Sequence, residues 1–339
     1  MDNKVNEIAL SCRVRLARNI DGERFINKLE SNNASQNVNK VYNALKLVDK
    51  FTLYRMRDMG DLDIRVLQEK RLISEELASN RESGAAIIDE SEQISIMVNE
   101  EDHLRLQCFE SGLDLFKAYN RISLLDNALS KSIGYSKDEK LGYLTSCITN
   151  VGTGMRAGAL LFLPGLEMTQ SIEKTIVSLA SNFKISIRGF FGEGSDNDGY
   201  FYQISNQRTL GITEQEILES VTSVINHLVR EELKARQLVL ALNKIALPDK
   251  VLRAYGIITN AYTLSSRELL EYAALVKLGH SLNILQLDDV KKIDNLIQEC
   301  GPARITAIGD VPDNPIERDI FRAKMAAKAI KRMDTKSQF

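Results

Sequence analysis

The chain has 339 residues, a length that suggests two domains, and 44% of them are apolar, enough to bury a substantial core. Its 44 Lys and Arg nearly balance 46 Asp and Glu, so no global basic bias points to nucleic acid or an anionic membrane, and clusters of arginine need a local explanation. Cys12, Cys108, Cys147 and Cys300 stand far apart and the 3 histidines do not cluster, which argues against a zinc site and against a disulfide framework.

The first residues, Met1 to Glu7, lack the apolar core of a signal peptide. The longest apolar run, Ala157 to Leu163, is too short to span a bilayer and is ended by Pro164. The expectation is a soluble, cytoplasmic protein.

In chain order, Ile8 to Leu16 alternates well enough for a strand, and Val38 to Val48 has apolar residues at helical spacing. Ala85 to Ile88 and Ile94 to Val98, joined by Glu90-Ser91-Glu92-Gln93, predict an antiparallel hairpin. Leu113 to Leu129 reads as a helix, residues 141–163 as strand–loop–strand, and Met168 to Leu179 as a helix. A second hairpin is expected from Ile185 to Phe191 and Tyr200 to Ile204. The capping box Thr213…Glu216 opens a long helix to about Asn243. Beyond it, helices are expected from Ser265…Glu268 to near Gly279, from about Asp288 to Cys300, closed by Gly301-Pro302, and from Asn314-Pro315 onward. The fold class is therefore α+β, with a mixed domain over 8–235 and an all-helical domain over 236–339.

The segment Asn99-Glu100-Glu101-Asp102-His103-Leu104-Arg105 leaves a β-favouring run with three acids, a histidine and an arginine. On its own it is a charged turn. Elsewhere, however, arginines recur near element ends: Arg13 and Arg15 at i and i+2, hence on one strand face, Arg156 after Gly152-Thr153-Gly154-Met155, and Arg188 before Gly189. Guanidinium groups hold phosphate bidentately and stay charged, so a polyphosphate suits such a set. There is no G-x-x-x-x-G-K-[ST]. Gly152-x-Gly154-x-x-Ala157 matches the loose dinucleotide fingerprint, but Pro164 interrupts any helix after it and no acid ends a second strand about 20 residues on. No G-x-S-x-G elbow accompanies His103.

Asn99 to Arg105, Cys147-x-Thr149-Asn150-Val151-Gly152-Thr153-Gly154-Met155-Arg156-Ala157 and Ser11-x-Arg13-x-Arg15 resemble, in the same order, the motifs of the phosphagen (guanidino) kinases, represented by creatine and arginine kinase. Arg188-Gly-x-x-Gly-Glu193-Gly-Ser195, Gln203 to Gln207, Leu72-Ile73-Ser74 and Arg318-Asp319-Ile320-Phe321-Arg322-Ala323 are similar to the bacterial protein-arginine kinases in particular. The resemblance implies a phosphagen-kinase-like catalytic domain, an antiparallel sheet flanked by helices, followed by the all-helical C-terminal domain. With ten residues before Ser11, it further predicts no helical N-terminal lid and thus an acceptor arginine on a protein surface. Two positions depart from the pattern: Ile148 stands where proline usually follows the cysteine, and Arg71 where a histidine usually precedes Leu-Ile-Ser.

A guanidinium is a poor nucleophile because it is protonated and delocalised, so it must be oriented and lose a proton. The resemblance gives that work to Glu101, with Glu100 nearby, Glu193 as a second clamp, and Cys147 as a reactive thiol favoured as thiolate by neighbouring arginines. It assigns the ATP phosphates, with Mg²⁺, to Arg13, Arg15, Arg105, Arg156 and Arg188. Ser11, Cys12 and Val14, the stretch Ala157, Gly158, Ala159 and Leu160, and Gly189, Phe190, Phe191, Gly192 and Glu193 would complete the nucleotide site, while His103 is structural. Arg318, Asp319, Ile320, Phe321, Arg322 and Ala323 would form an allosteric phosphoarginine pocket in a dimerising domain, the arginines taking phosphate and Asp319 the guanidinium. Implied partners are protein substrates with accessible arginines, the repressor CtsR, the activator McsA and the ClpC/ClpP protease, in a stress response that marks damaged proteins for degradation. A kinase for a small guanidino metabolite and a non-catalytic phosphoarginine-reading adaptor are the alternatives.

Overall fold

The computed structural model describes residues 2–189, 198–287 and 289–331. Its strands are β1 (Ala9–Arg18), β2 (Phe51–Arg55), β3 (Ala85–Asp89), β4 (Ile94–Val98), β5 (Leu104–Ser111), the short β6 (Lys137–Asp138) and β7 (Gly142–Tyr143), β8 (Met155–Phe162), β9 (Ile185–Gly189) and β10 (Phe201–Asn206). Eight of these form one sheet in the order β2-β3-β4-β5-β1-β8-β10-β9. The pairs β2–β3, β3–β4, β4–β5 and β5–β1 are antiparallel. Both predicted hairpins are thus neighbours in the sheet, and the predicted α+β class holds. Every residue of β4 is buried, as befits an internal strand covered on both faces, whereas β1 alternates from Cys12 to Leu16 because Val14 and Leu16 enter the core and Arg13 and Arg15 do not.

Two α-helices flank the sheet motifs early in the chain: α1 (Asp2–Ile8) and α2 (Ser31–Leu45). Two short helices absent from the sequence expectation follow, α3 (Asp61–Glu69) and α4 (Glu75–Ser79). They bury Ile64, Leu67 and Leu77 with Leu72, Ile88 and Met97 in one cluster. Their few residues carry too short an apolar period to stand out in the sequence. Helix α5 (Leu115–Ile133) buries Leu115, Ala118, Ile122, Leu125 and Leu129, a spacing that puts one apolar stripe against β5 and β1. Asp126 lies in that stripe, buried, because its carboxylate receives the Arg18 side chain at 2.8 Å.

Further on lie α6 (Pro164–Met168), α7 (Ile172–Phe183), α8 (Glu214–Leu242), α9 (Ala246–Asn260), α10 (Ser266–Ser281), α11 (Lys291–Glu299), α12 (Pro302–Gly309) and α13 (Pro315–Lys331). Both expected capping boxes are formed, with reciprocal bonds between Thr213 and Glu216 and between Ser265 and Glu268. Helix α9 was not expected. Pro248 sits in its first turn, where no intrahelical N–H is required, and so begins the helix rather than breaking it. Likewise Gly301-Pro302 ends one helix and immediately starts another, with Pro302 at its first position.

The chain divides into two compact units: Met1–Leu160, Leu179–Ile187 and Gln203–Asn226 in the first, and Leu161–Ser178, Arg188–Tyr202 and His227–Phe339 in the second. Within the second, a buried carboxylate, Glu232, accepts the Gly165 and Leu166 N–H groups at 2.9 Å each and the Arg236 guanidinium at 2.6 Å. Burial raises its pKa against the pull of Arg236. Among the described residues no helix is long and apolar enough to cross a membrane.

Candidate active site

The site begins at the turn between β4 and β5. Asn99 adopts a left-handed backbone (φ 60°), a conformation asparagine tolerates. Its N–H reaches the His103 carbonyl at 2.9 Å, and the Glu100 N–H reaches the Asp102 carbonyl at 3.1 Å. The Asn99 side chain, fully buried, donates to the Ala34 and Ser83 carbonyls, while Asn80 donates to the Asn99 carbonyl. The acids therefore stand on a turn pinned from behind, not on a loose loop.

The three acids then separate. Glu100 is buried; its carboxylate accepts the Ser74 hydroxyl at 2.6 Å and forms an ion pair with Arg105. Asp102 is buried and accepts the Asn19 amide and the Ser146 N–H, both at 2.6 Å. Glu101 alone is exposed. Its pKa is raised, first by partial desolvation and then by Asp102 and Glu100; Arg105 and a hydrogen bond with Cys147 oppose the shift. A carboxylate with raised proton affinity is a competent proton acceptor. His103 is buried: Nδ1 accepts the Ile20 N–H at 3.1 Å and Nε2 lies 3.0 Å from the Arg24 carbonyl, which it reaches as a donor. Burial lowers its pKa, so it is a neutral structural brace.

Arg13 and Arg15 leave the same face of β1, as i, i+2 spacing requires. Arg13 lies over the Phe109 ring, 5.5 Å from its centroid, opposite its register partner. Among the described residues neither arginine forms an ion pair. The charge of Arg13 is disfavoured by burial and then by Arg105, Arg71 and Arg156; that of Arg15 by burial and then by Arg13, Arg105 and Arg156, with Glu100 opposing. Like charges crowded into one place are relieved when an anion enters, so this face is suited to an anion. Arg71, left out of the sequence-derived set, belongs to the crowd. Its backbone is left-handed (φ 61°) and its carbonyl accepts the Gln107 side chain at 2.8 Å.

Cys147 begins a short 3₁₀ turn through Asn150, with its sulfur 3.1 Å from Thr149 Oγ1. Thr209 holds this segment by donating to the Thr149 and Val151 carbonyls at 3.0 and 2.8 Å. The glycines that mimic a dinucleotide fingerprint serve close packing here. A Cβ on Gly152 would lie 2.2 Å from the Thr209 carbonyl, and one on Gly154 would lie 2.6 Å from both the Ala17 carbonyl and Arg18 Nη1. A strand, β8, follows them, not a helix.

These pieces enclose a cavity of about 210 Å³ whose lining includes Arg15, Arg105 and Arg156 together with Glu100, Glu101 and Cys147. Asp102, Thr149 and Asn150 also line it. Among the described residues no cluster of three or more His, Cys, Asp or Glu could hold a metal ion. Of the acids in the cavity, Glu100 is engaged with Ser74 and Arg105 and Asp102 with Asn19 and Ser146, so the donor set does not fit a resident metal. A Mg²⁺ would enter on the nucleotide phosphates, as that ion commonly does.

Other expected positions fall elsewhere. Ser11 is half-buried on β1 opposite Ser111. Cys12 and Val14 are buried on the opposite face from the arginines; the Cys12 thiol accepts the Asp114 N–H at 3.3 Å, and burial pushes its pKa up to about 11. Their side chains therefore do not line the cavity. Ala157, Gly158, Ala159 and Leu160 are buried within β8, the first donating its N–H to the Asn206 side chain. Arg188 and Gly189 are exposed at the end of β9 and fall in the second unit. Phe190, Phe191, Gly192 and Glu193 lie outside the described residues. Sequence reasoning gave no supporting role to Ser74, Asn19 or Arg18; the likeness of Leu72-Ile73-Ser74 was the available signal for the first.

The expected phosphoarginine segment lies on α13. Arg322 is buried, donates to the Cys300 and Leu264 carbonyls at 2.9 and 2.7 Å, and pairs with Asp319. Arg318 is half-buried and pairs with Asp313. Arg322 is buried, Arg318, Asp319, Ile320 and Phe321 reach the surface in part, and Ala323 is buried.

Comparison with known proteins agrees with this geometry. The family model described as ATP:guanido phosphotransferase, C-terminal catalytic domain, matches residues 33–235, and the protein-arginine kinase McsB C-terminal domain matches residues 244–339. The solved structure of lombricine kinase aligns with a TM-score of 0.60 at 23% identity over 67% of each chain. A duplicated taurocyamine kinase from Schistosoma mansoni aligns at 0.62 and 24% identity over 79% of this chain and 39% of that one. Fold and cavity together define a guanidino-phosphotransferase architecture. A protein-arginine kinase of Caldanaerobacter subterraneus is 37% identical over 333 residues, 97% of this chain and 98% of the relative, and one of Clostridium tetani is 36% identical over 332 residues, covering 98% and 97%. The chain belongs to the McsB protein-arginine kinase family.

Proposed function

We propose that the protein transfers the γ-phosphoryl group of ATP to guanidinium groups of arginines in proteins. The observation that supports this most directly is one cavity lined both by a carboxylate of raised proton affinity, Glu101, and by crowded guanidiniums. Arg13, Arg15, Arg105 and Arg156 hold the triphosphate and spread its charge, and transfer is otherwise a matter of positioning. The acceptor guanidinium loses one proton to Glu101; its nitrogen forms the N–P bond as the bond between the γ-phosphorus and the β,γ-bridging oxygen breaks, and ADP leaves with that oxygen. Cys147, which lines the cavity with Glu101, meets the guanidinium from beside it, and Glu193 is the second clamp. Glu100 holds Arg105 in place through its ion pair.

The finer expectations rest on the resemblance and are proposed with it: cytoplasmic location, a homodimer, McsA as activator, and phosphorylation that marks stress-damaged proteins for ClpC/ClpP and inactivates CtsR. So is a phosphoarginine pocket on α13 built on Arg318 to Ala323, with Arg318 and Arg322 for the phosphate and Asp319, paired with Arg322, for the guanidinium. Incubation with ATP and either free arginine or a folded arginine-bearing protein tests the main reading. Acid-labile phosphate on protein arginine is the expected result; phosphate on free arginine alone overturns it.

A further inference from the structure

Asp102 follows the proposed base but does not share its exposure. It is 2% exposed, and a single carboxylate oxygen, Oδ1, takes both the Asn19 side-chain amide and the Ser146 N–H at 2.6 Å. Both contacts are short for N–H···O bonds, as charge assistance favours. Asn19, just beyond β1, also donates to the Leu144 carbonyl at 3.1 Å and accepts the His103 N–H at 2.9 Å. The end of β1, the acidic turn and the segment leading to Cys147 are therefore joined at one point.

The joint has a chemical consequence. Glu101 is bonded covalently to Asp102, and Ser146 to Cys147. The Asp102–Ser146 hydrogen bond joins these two dipeptides, and the Glu101 and Cys147 side chains line the same cavity beside that joint. The Asp102 contact thus limits how far apart the carboxylate of Glu101 and the thiol of Cys147 can stand.

We propose that Asp102 is a positioning residue for the acceptor half of the site: its Oδ1 holds the Cys147 segment against the acidic turn, so that Glu101 and Cys147 present one fixed frame to the incoming guanidinium. The inference rests on the function proposed above. Misplacement of a reacting group by about 1 Å costs on the order of 100-fold in rate, so a tether of this kind is felt in turnover. The groups facing Glu101 are Asp102 and Glu100 from its own turn, Arg105 from β5 and Cys147 from the opposite segment. Asp102 thus also contributes charge that favours the protonated form of Glu101.

Two substitutions separate tether from charge. Asp102→Asn keeps an Oδ1 acceptor for both bonds and removes the charge; Asp102→Ala removes both. Each full-length variant is assayed for ATP-dependent phosphorylation of a folded arginine-bearing protein, for the pH dependence of kcat/KM, and for alkylation of Cys147 by iodoacetamide; Cys12, Cys108 and Cys300 are buried. Asp102→Ala is expected to lower kcat roughly 10–100-fold, the range typical of lost supporting contacts, to leave the ATP KM nearly unchanged and to change the alkylation rate several-fold. Asp102→Asn is expected to keep the wild-type alkylation rate and most of kcat, with the acid limb of the pH profile moved to lower pH. Wild-type turnover and alkylation in Asp102→Ala overturn the proposal, as does an unmoved acid limb in Asp102→Asn. Thermal melts establish folding, and if Asp102→Ala does not fold, Ser146→Pro, which removes the N–H that Asp102 accepts, decides by the same turnover and alkylation readouts. If wild-type protein phosphorylates no arginine, the functional reading fails, while the alkylation contrast still tests the tether.

Discussion

Arg15 in the cavity and Arg322 on α13 are both shielded from bulk water, yet their surroundings are opposite in kind. Arg15 stands beside Arg13, Arg105 and Arg156, with Glu100 as its counterweight, and its charge is disfavoured. Arg322 delivers its guanidinium to two carbonyls and to Asp319. The same contrast separates Arg13 from Arg18, whose guanidinium meets Asp126, the Ala17 and Thr153 carbonyls and the Tyr143 ring at 3.6 Å. An arginine whose donors are filled by its own chain serves the fold. Arginines gathered against their mutual repulsion suit an anion, whose entry would relieve that repulsion.

The largest effect that tests this contrast is on turnover. Glu101→Gln should lower kcat about 10²–10⁴-fold, the range for loss of a general base, with the melting temperature little changed because Glu101 is exposed; initial rates of phosphoryl transfer measure it. On the structural side, Arg322→Ala should cost about 3–5 kcal/mol, because Asp319 and two carbonyls lose their partner. Denaturant titration reads that as a lower midpoint at unchanged slope. Were Arg322→Ala to unfold normally but lose phosphoarginine binding, the two kinds of arginine would not be distinct. Arg15→Ala should behave in the opposite way. ATP affinity should fall by about 1.5–3 kcal/mol, the worth of bonds to a charged group, while thermal stability holds or rises as repulsion is relieved. Arg15→Lys should recover little of the affinity, since an ammonium cannot bind phosphate in the bidentate mode.

Smaller effects follow from protonation. Glu101 must be deprotonated to act, and its pKa is raised, so kcat/KM should fall off on the acid side at a pH above the ordinary glutamate range. His103 carries a lowered pKa in the fold. The unfolded chain therefore binds more protons between the two values, and the stability this residue contributes is present above about 6.5 and lost as pH falls. His103→Gln should flatten that part of the stability–pH curve, which melts across pH 5 to 8 would detect.

Much of the fold was legible without coordinates. The β3–β4 hairpin, the strand carrying Arg13 and Arg15, and the capped starts of α8, α10 and α13 follow from period, turn residues and caps, which act over a few residues. The short α3 and α4 and the proline-opened α9 were not, because their formation depends on packing more than on local pattern. For the site, it was the family resemblance carried by the motifs that gathered Glu100, Glu101, Cys147, Arg15, Arg105 and Arg156 into one place.

What the amino-acid order determined by itself is which groups are available and which face of a strand they share: alternation alone puts Arg13 and Arg15 together and turns Cys12 and Val14 away. Only the tertiary structure decided how three consecutive acids divide their work. Ser74 and Arg105 engage Glu100, Asn19 and Ser146 engage Asp102, and Glu101 is left at the surface with a raised proton affinity. The physical reason is distance along the chain. Asn19 and Asp102 are 83 positions apart, and Ser146 is 44 beyond Asp102. A hydrogen bond across such a span exists only once the sheet has formed, and it is these bonds that turn a charged turn into a site with a single candidate base.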